Sequence, residues 1–271
     1  TTQRNPAVLS SRRHGGGVVD FDRAYDGVEA RARFGWNGVD AVVGVAHERQ
    51  RDERRGYENF LGEPTAPTAR GVVGEPRRNE TNRAESLDGF AQAEIALASS
   101  LALTAGVRSG QVKVSVEDRY IAPGNGDDSG RLRFSYTNPV LGLRWKLQPH
   151  WTLHASMARG FESPTLGELA YRADGSGGFN TTLLPQKSRQ FELGAKWRSG
   201  GVSLDAVLFR IEVEDEIGVA TNAGGRSAYQ NVGRTERNGA ELALAWRFAP
   251  TWRTQLALTL LDATYRDGFL A

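Results

Sequence analysis

The chain lacks cysteine, has few lysines and contains no long apolar run, and each absence excludes a class of protein. Without cysteine, none of the 271 residues can form a disulfide, a thiolate metal site or a cysteine nucleophile. No stretch reaches the roughly 18 consecutive apolar residues that a transmembrane helix needs. Four of the 34 basic residues are lysine and the other 30 are arginine. A high genomic GC content explains that bias as readily as a need for fork-shaped anion-binding side chains.

Motifs for catalysis, metal binding and nucleic-acid binding are also missing. The four histidines have no spacing typical of a metal site, and no Ser-His-Asp arrangement can be assigned. The net charge of +2 comes from dispersed residues, and no basic run is interleaved with aromatics. We therefore predict no catalytic residue, no metal, no cofactor and no nucleic-acid partner, and we do not interpret the chain as an enzyme.

The dominant pattern is alternation with a period of two residues. From Leu141 to Leu147 every second residue is apolar, with Gly142, Arg144 and Lys146 between them. Because successive strand residues point to opposite faces, this pattern predicts strands with one apolar and one polar face. Segments 101–116 and 202–213 change phase partway, which predicts a bulge or a twist in each strand.

Short and long connections alternate between these segments. Short turns are predicted at Asn37-Gly38, Ser99-Ser100, Gln148-Pro149-His150, Ser199-Gly200-Gly201 and Ala249-Pro250-Thr251. Long polar loops are predicted at about 49–84, 118–130, 163–186 and 217–228. The pattern indicates five hairpins, hence about ten long strands, with tight turns at one end and long loops at the other. This asymmetry is typical of a transmembrane antiparallel up-and-down β-barrel.

The tryptophans give an independent indication of a membrane barrel. All six lie within about five residues of a predicted short turn and on the apolar parity of their strands: Trp36, Trp145, Trp151, Trp197, Trp246 and Trp252. A soluble all-β binding domain, the alternative, gives tryptophan no reason to collect at one end of each hairpin. We predict that they form a girdle at a membrane–water interface.

Two segments resemble the barrel of TonB-dependent outer-membrane receptors. The first reads ARGFESPTLGEL at 158–169 and continues through LPQKS at 184–188 to FELG at 191–194, with Gln186 where many members carry Glu. The second reads NVGRTERNGAEL at 231–242, followed by LLDATY at 260–265. The positions that match the family motifs are Pro164, Thr165, Glu168, Leu169, Pro185, Glu192, Asn231, Gly233, Gly239 and Glu241. Glu168 and Glu192 are interpreted primarily as solvated carboxylates facing the lumen.

The resemblance implies a location in the bacterial outer membrane and a role in import. Residues 1–271 would be part of the barrel domain, truncated at both ends, with about ten of the 22 strands of such transporters and no plug domain. Such a receptor would import a ferric siderophore or similar iron chelate, energised by a TonB-type partner that contacts the absent plug region. The alternatives are a passive porin and a receptor for another scarce nutrient, such as cobalamin or haem.

For ligand contact, the sequence points to arginine and tyrosine in the outer loops. Arginine pairs bidentately with carboxylates, and chelates of citrate or catechol are anionic. The predicted contact residues are Arg51, Arg54, Arg55, Tyr57, Arg119, Tyr120, Tyr171, Arg172 and Arg226. The alternative is that loop arginines bind outer-membrane lipid, as lipopolysaccharide phosphates, or only solvate the rim.

Overall fold

The structure, a computed structural model, describes residues 17–223 and 226–267 and consists almost entirely of β-strands. Within these residues no helix has the length and apolar character needed to cross a membrane. A single 3₁₀ turn is found at Glu168–Ala170. The strands are β1 (Val18–Trp36), β2 (Val39–Tyr57), β3 (Phe60–Glu63), β4 (Ala66–Arg70), β5 (Pro76–Ala98), β6 (Leu101–Asp118), β7 (Gly130–Gln148), β8 (Trp151–Glu162), β9 (Gln186–Ser199), β10 (Val202–Glu214), β11 (Ile217–Ala223), β12 (Arg226–Asn231), β13 (Thr235–Ala249) and β14 (Trp252–Tyr265).

Ten of these strands form one antiparallel sheet, in the order β1, β2, β5, β6, β7, β8, β9, β10, β13, β14. Each large strand therefore lies beside the large strands that precede and follow it in the chain. The other four strands form two separate hairpins, β3–β4 and β11–β12, inside the long connections. The predicted all-β, up-and-down order of ten strands in five hairpins is confirmed.

The five short connections lie where the sequence predicts them, but each is a two-residue turn, including the three that were expected to contain three residues. In the first, Asn37 and Gly38 both have positive φ, at 44° and 80°. Strand twist favours this turn geometry in a tight hairpin, and Asn-Gly tolerates it best. The turns lie together at one end of the sheet, the turn end, and the long connections lie at the opposite loop end.

Two of the predicted long loops are wrong in extent, because polar sequence there forms strands. The loop expected at 49–84 is confined to 58–75, since β2 and β5 stay paired from Arg49↔Glu85 to Tyr57↔Pro76. The segment expected as a loop at 217–228 belongs to the β11–β12 hairpin. A strand needs backbone partners, and outside an apolar band its side chains can be polar on both faces. The 19 residues of β2 extend about 63 Å at ~3.3 Å each, about twice the ~30 Å of a bilayer core.

The strand register assigns every side chain of the sheet to one of two faces. All six tryptophans lie on the same face, the outer face, near the turn end. Trp151 and Trp197 are direct cross-strand partners with ring centroids 6.4 Å apart. The opposite, inner face carries polar pairs such as Arg144 with Glu94 at 2.5 Å. The girdle residues are therefore arranged on the sheet as predicted.

The phase changes in β6 and β10 are not bulges, so the bulge alternative of that prediction is wrong. The β6–β7 register is unbroken from Leu101↔Trp145 to Val116↔Gly130, and β10 keeps unbroken register with both neighbours. Instead, the apolar side chains move from the outer face near the turns to the inner face near the loops. There, Val114 packs with Leu169, Phe179 and Leu183 of the connection after β8 in a small buried core. The connection between β8 and β9 is thereby held against the inner face.

Candidate functional site

The four predicted ligand residues at the end of β2 lie on a strand, not in a loop, and they do not share a face. Register with β1 and β5 places Arg51, Arg55 and Tyr57 on the outer face and Arg54 on the inner face. Arg51 forms an ion pair with Glu53 at 2.6 Å on that outer face. Of the four, only Arg54 points to the inner face.

Arg54 belongs to a half-buried group at the loop end of the inner face, the Arg54–Arg78 cluster, which comprises Arg54, Arg78, Glu80 and Tyr171. Arg78 Nε lies 3.0 Å from Glu80 Oε1, and Arg54 Nη1 lies 3.9 Å from Glu80 Oε2. The Arg78 guanidinium is 5.4 Å from the centroid of the Tyr171 ring, and its Nη2 donates to the Tyr171 hydroxyl at 3.4 Å. Strands β2 and β5 supply the charged groups, and the β8–β9 connection supplies the tyrosine.

The cluster has more positive than negative charge. Two guanidiniums face one carboxylate, and their side chains are only 25% and 23% exposed. The neighbouring Asp52 is buried, and Arg23 binds it with two bonds of 2.7 and 2.8 Å. Burial, and then repulsion from Arg78, lower the pKa of Arg54, which lies beyond the apolar band of β2. An anion brought between the two guanidiniums would remove this repulsion.

Most of the other predicted contact residues hold the loops together. Arg172 pairs with Asp128 at 3.1 Å, which joins the β8–β9 connection to the β6–β7 connection. Arg119 pairs with Glu117 at 3.1 Å and with Glu53 at 3.8 Å. Tyr120 lies in the β6–β7 connection and donates its backbone N–H to the Asp118 carboxylate. The side chain of Arg226 lies outside the described part of the structure.

On the inner face the structure therefore brings two predicted residues together, Arg54 and Tyr171, and adds Arg78 and Glu80. Sequence reasoning missed these two because only the pairing of β2 with β5 brings them beside Arg54. The pairs Arg54↔Glu80 and Gly56↔Arg78 appear only once β2 and β5 are paired in register. The alternation of faces along β2, continued from its apolar residues, is enough to place Arg54 on the opposite face from Arg51 and Arg55.

Several of the family-motif residues hold the β8–β9 connection in place. Asn231 accepts a bond from the Leu184 amide at 2.8 Å and donates to the Leu184 and Asp215 carbonyls at 2.9 and 2.7 Å. The connection is thereby fixed, just before Pro185, to the β11–β12 hairpin. Gly233, two residues after Asn231, has φ of 85°.

Thr165 and Glu168 fix the other end of that connection. Glu168 accepts bonds from the Thr165 amide at 2.7 Å and from its hydroxyl at 3.0 Å, and the Glu168 amide donates back at 3.2 Å. This reciprocal arrangement follows the buried Pro164 and leads into the 3₁₀ turn, where Leu169 is fully buried. Glu168 is only partly exposed, and its carboxylate closes this turn.

The remaining motif residues lie on the inner face of the sheet. Glu192 accepts a bond of 3.0 Å from His154 on the neighbouring strand, and Glu241 is exposed on that face. Gly239 is opposite Phe209, and a Cβ added at Gly239 would overlap the Phe209 ring. Glycine is needed there because the aromatic ring lies directly over the backbone.

No group of three or more acidic or histidine side chains within residues 17–223 and 226–267 is arranged to hold a metal ion. The guanidinium groups of the Arg54–Arg78 cluster are of the kind that can bind an anion. The cluster lies on the inner face of the ten-stranded sheet.

Comparison with known proteins identifies the family. A family model for the TonB dependent receptor-like beta-barrel matches residues 2–270. The chain is 24% identical over 218 residues to the pesticin receptor of Yersinia enterocolitica, an alignment that covers 79% of this chain and 30% of that receptor. The chain therefore spans less than a third of the length of that relative.

Solved structures of such receptors have a similar fold. The ferric yersiniabactin uptake receptor FyuA from Yersinia pestis aligns with a TM-score of 0.69 at 22% identity, over 92% of this chain and 37% of that one. The copper transporter OprC aligns with a TM-score of 0.73 at 19% identity, over 91% and 38% of the two chains. Such barrels are outer-membrane proteins, and they are parts of transport receptors. The chain belongs to the β-barrel family of TonB-dependent receptors.

Proposed function

We propose that this chain is a section of the barrel of a receptor that imports a ferric siderophore or similar iron chelate across the outer membrane. Residues 1–271 would lie within one barrel domain, and a TonB-type partner would supply the energy. The described sheet supports the proposal that the chain is one section of a larger barrel, because β1 and β14 each have only one strand partner in it. Unpaired strand edges are not tolerated in the hydrocarbon region, so other strands must complete the wall.

The observation that carries the ligand proposal is the Arg54–Arg78 cluster. Its two guanidiniums face the inner side at the loop end, where a ligand arriving from outside would meet the barrel. Carboxylate and catecholate oxygens of an iron chelate are anionic and accept bidentate bonds from arginine. Tyr171 adds an aromatic face and a hydroxyl. We infer that these three side chains contact the chelate.

The names of several relatives support iron, whereas OprC is a copper transporter. Besides the ferric yersiniabactin receptor, a 102-residue alignment at 31% identity matches the catecholate siderophore receptor Fiu of Escherichia coli (strain K12). That alignment covers 37% of this chain and 13% of Fiu. Family membership also favours an energised receptor over a passive porin. We propose no catalytic role, because these relatives are transport receptors.

Uptake by the complete receptor tests the proposal. The gene would be expressed in a host without iron-chelate receptors, and radioactive iron would be supplied as its citrate, catecholate and hydroxamate complexes. We expect energy-dependent uptake of at least one complex. Double substitution Arg54→Gln/Arg78→Gln should weaken binding by at least about 10-fold, because even one lost hydrogen bond to a charged group costs about 1.5–3 kcal/mol. Arg51→Gln on the outer face is the matched control and should bind as wild type.

The two parts of the proposal fail separately. Uptake of none of the three complexes by a correctly inserted receptor would refute iron-chelate import. Normal uptake and affinity in the Arg54→Gln/Arg78→Gln variant would leave import standing and refute the cluster as the binding site. Tyr171→Phe keeps the ring over Arg78 and removes the hydroxyl, so a smaller loss than in the double variant is expected.

A further inference from the structure

A gap in the sheet, the β7–β8 seam, leaves two strand edges without backbone partners. Strands β7 and β8 are paired only as far as Val140↔Ala158, although β7 begins at Gly130 and β8 continues to Glu162. Beyond that last pair, β7 stays paired with β6 and β8 stays paired with β9 up to their loop ends. The facing edges of β7 and β8 are therefore unpaired toward the loop end.

Pro139 explains where the pairing stops. The Lys146 amide donates to the Ser100 carbonyl on the β6 side, so even-numbered residues of β7 bond to β6 and odd-numbered residues face β8. One row beyond the last pair, Pro139 would have to donate to the Arg159 carbonyl, but proline has no N–H. The ladder therefore ends at Pro139. Beyond it, the backbone groups that face the seam form the free edge of β7, which comprises Arg131, Arg133, Ser135 and Thr137.

The seam begins where the outer face stops being apolar. Leu141 and Met157 are direct cross-strand partners and exposed apolar side chains of that face. The next outer-face residues toward the loop end are Pro139 and Arg159. Hydrocarbon does not tolerate unpaired backbone groups, whereas water hydrates them, so pairing is complete within the apolar band and can stop beyond it. The free edge therefore lies in water, where another chain can pair with it.

Side chains, and not backbone bonds, join the two strands across the seam. The Tyr136 and Phe161 rings stack there with their centroids 4.6 Å apart. A cleft of about 280 Å³ lies beside these rings, between β7 and β8 and in front of β9 and β10. The two strands can therefore part at the seam without breaking a backbone hydrogen bond.

Exposed cations flank the free edge on the outer face. Two lie on β7, and two lie across the seam on β8 and β9: Arg131, Arg133, Arg159 and Lys187. Arg133 donates to the neutral Gln111 side chain at 2.8 Å. With the other described residues, none of the four cations forms an ion pair. An extended segment on the free edge would place its outer-facing side chains between these cations, which favours acidic side chains.

The acidic residues that line the cleft are already paired. Glu212 is bound by Arg210 at 2.6 Å, and Glu214 pairs with Arg189 at 3.3 Å. Arg159 lies directly opposite Arg189, and like charges in that position destabilise a sheet. Carboxylates brought into the seam would remove this repulsion.

We propose that the free edge of β7 binds an extended acidic segment of a partner protein at the cell surface by strand addition. The segment would pair its backbone with Arg133, Ser135 and Thr137, and its alternate carboxylates would lie between the cations on the two sides of the seam. Its other side chains would lie beside Phe134 and Tyr136 on the inner face, so they should be small and apolar. In strand addition, backbone bonds give affinity and alternate side chains give specificity. The seam is separate from the inner-face cluster, so this proposal is independent of the imported ligand.

Fluorescence anisotropy on the complete receptor in neutral detergent tests the proposal. The probe is a labelled, end-capped peptide of alternating glutamate and alanine with the length of the free edge. One comparison peptide is N-methylated at the amides that would face β7, and another has lysine in place of glutamate. We expect saturable binding of the probe and no binding of the lysine peptide. The N-methylated peptide should bind about tenfold more weakly or worse, because at least two hydrogen bonds are lost.

Ser135 provides a variant that tests the backbone edge. Ser135→Pro removes an N–H that faces the seam and belongs to no ladder, so probe binding should weaken by about fivefold or more, because one hydrogen bond is lost. Ser135→Ala removes the hydroxyl and keeps the N–H, so this matched control should bind as wild type. Phe161→Ala removes a ring that bridges the seam and should strengthen binding.

The charge requirement has its own variants. Arg133→Gln/Arg159→Gln should weaken probe binding by about tenfold or more, because two charge-assisted contacts are lost. Arg49→Gln is the matched control, since Arg49 is an exposed arginine on the outer face of β2, and it should bind as wild type.

Three results would overturn the proposal. Equal affinity of the wild-type receptor for the N-methylated and unmethylated probes would show a contact through charge alone, and this measurement needs no variant to fold. Wild-type binding in a folded Ser135→Pro receptor would exclude the backbone of the free edge. Weaker binding in a folded Phe161→Ala receptor would contradict a strand that lies between β7 and β8.

Discussion

Replacing Asn231 by alanine should release the β8–β9 connection without unfolding the barrel. The Asn231 side chain makes three hydrogen bonds, one from the Leu184 amide and two to the Leu184 and Asp215 carbonyls. A hydrogen bond contributes about 1 kcal/mol net, so the loss is about 3 kcal/mol. Every 1.4 kcal/mol is a factor of ten, so local opening should become about 100-fold more frequent. The ten-stranded sheet keeps its own backbone ladder and should retain its unfolding temperature.

Hydrogen exchange measured by mass spectrometry on the complete receptor checks this prediction. In Asn231→Ala, peptides within 163–185 should exchange about 100-fold faster, and peptides from β5 and β6 should be unchanged. Asn231→Asp keeps the acceptor for the Leu184 amide but cannot donate to either carbonyl, so its effect should be at least as large as the loss of two bonds. Asn222→Ala, an exposed position on β11, is the control. If exchange within 163–185 changes less than twofold in a folded Asn231→Ala receptor, Asn231 does not anchor the connection.

Three further predictions follow from single features. Gly239→Val should destabilise the receptor by about 1–3 kcal/mol in thermal unfolding, because a side chain there overlaps the Phe209 ring, and adding Phe209→Ala should recover part of the loss. Burial acts to raise the pKa of Glu216, but hydrogen bonds from Arg237 and Thr235 lower it overall. The ionised Glu216 carboxylate therefore stabilises the folded receptor fully above the unfolded-state pKa near 4.5. This stabilisation is lost as the pH falls through the lower pKa of the folded state. Glu216→Gln should flatten that acid-side loss, and an unchanged pH profile would contradict the pairing. Brominated lipids should quench the six tryptophans more strongly than aqueous iodide does, and the reverse order would contradict an interfacial girdle.

The strand order was predictable because its signals are local. Period-two alternation and turn residues such as Asn37-Gly38 are read within a few positions, and they gave ten strands and five turns. The strand ends were not predictable in the same way. Beyond the apolar band, hydropathy no longer alternates, and backbone hydrogen bonding alone keeps β2 and β5 paired up to Tyr57↔Pro76. Because a polar strand and a polar loop have similar amino-acid compositions there, the sequence does not distinguish them.

The candidate site was predictable only in part, because it depends on register between distant segments. The alternation of faces along β2 is sufficient to place Arg54 on the inner face and Arg55 on the outer face. Placing Arg78 beside Glu80 and Tyr171 requires the pairing across the 58–75 connection and the folding of the β8–β9 connection onto the inner face. No spacing in the sequence encodes that contact, since Arg78 and Tyr171 are 93 positions apart.

The motif residues and the ligand-contact residues are linked through one connection. Asn231 and the Thr165–Glu168 turn hold its two ends, and Leu169, packed against Val114, holds its middle on the inner face. Tyr171 follows Leu169 by two residues, so these anchors determine where the Tyr171 ring meets Arg78. Motif residues that are not proposed to touch the chelate would therefore control its affinity through Tyr171. Asn231→Ala should then weaken chelate binding in the same direction as Tyr171→Phe, and the Asn231→Ala/Tyr171→Phe double variant should lose less than the sum of the two free-energy changes, because both act on one contact.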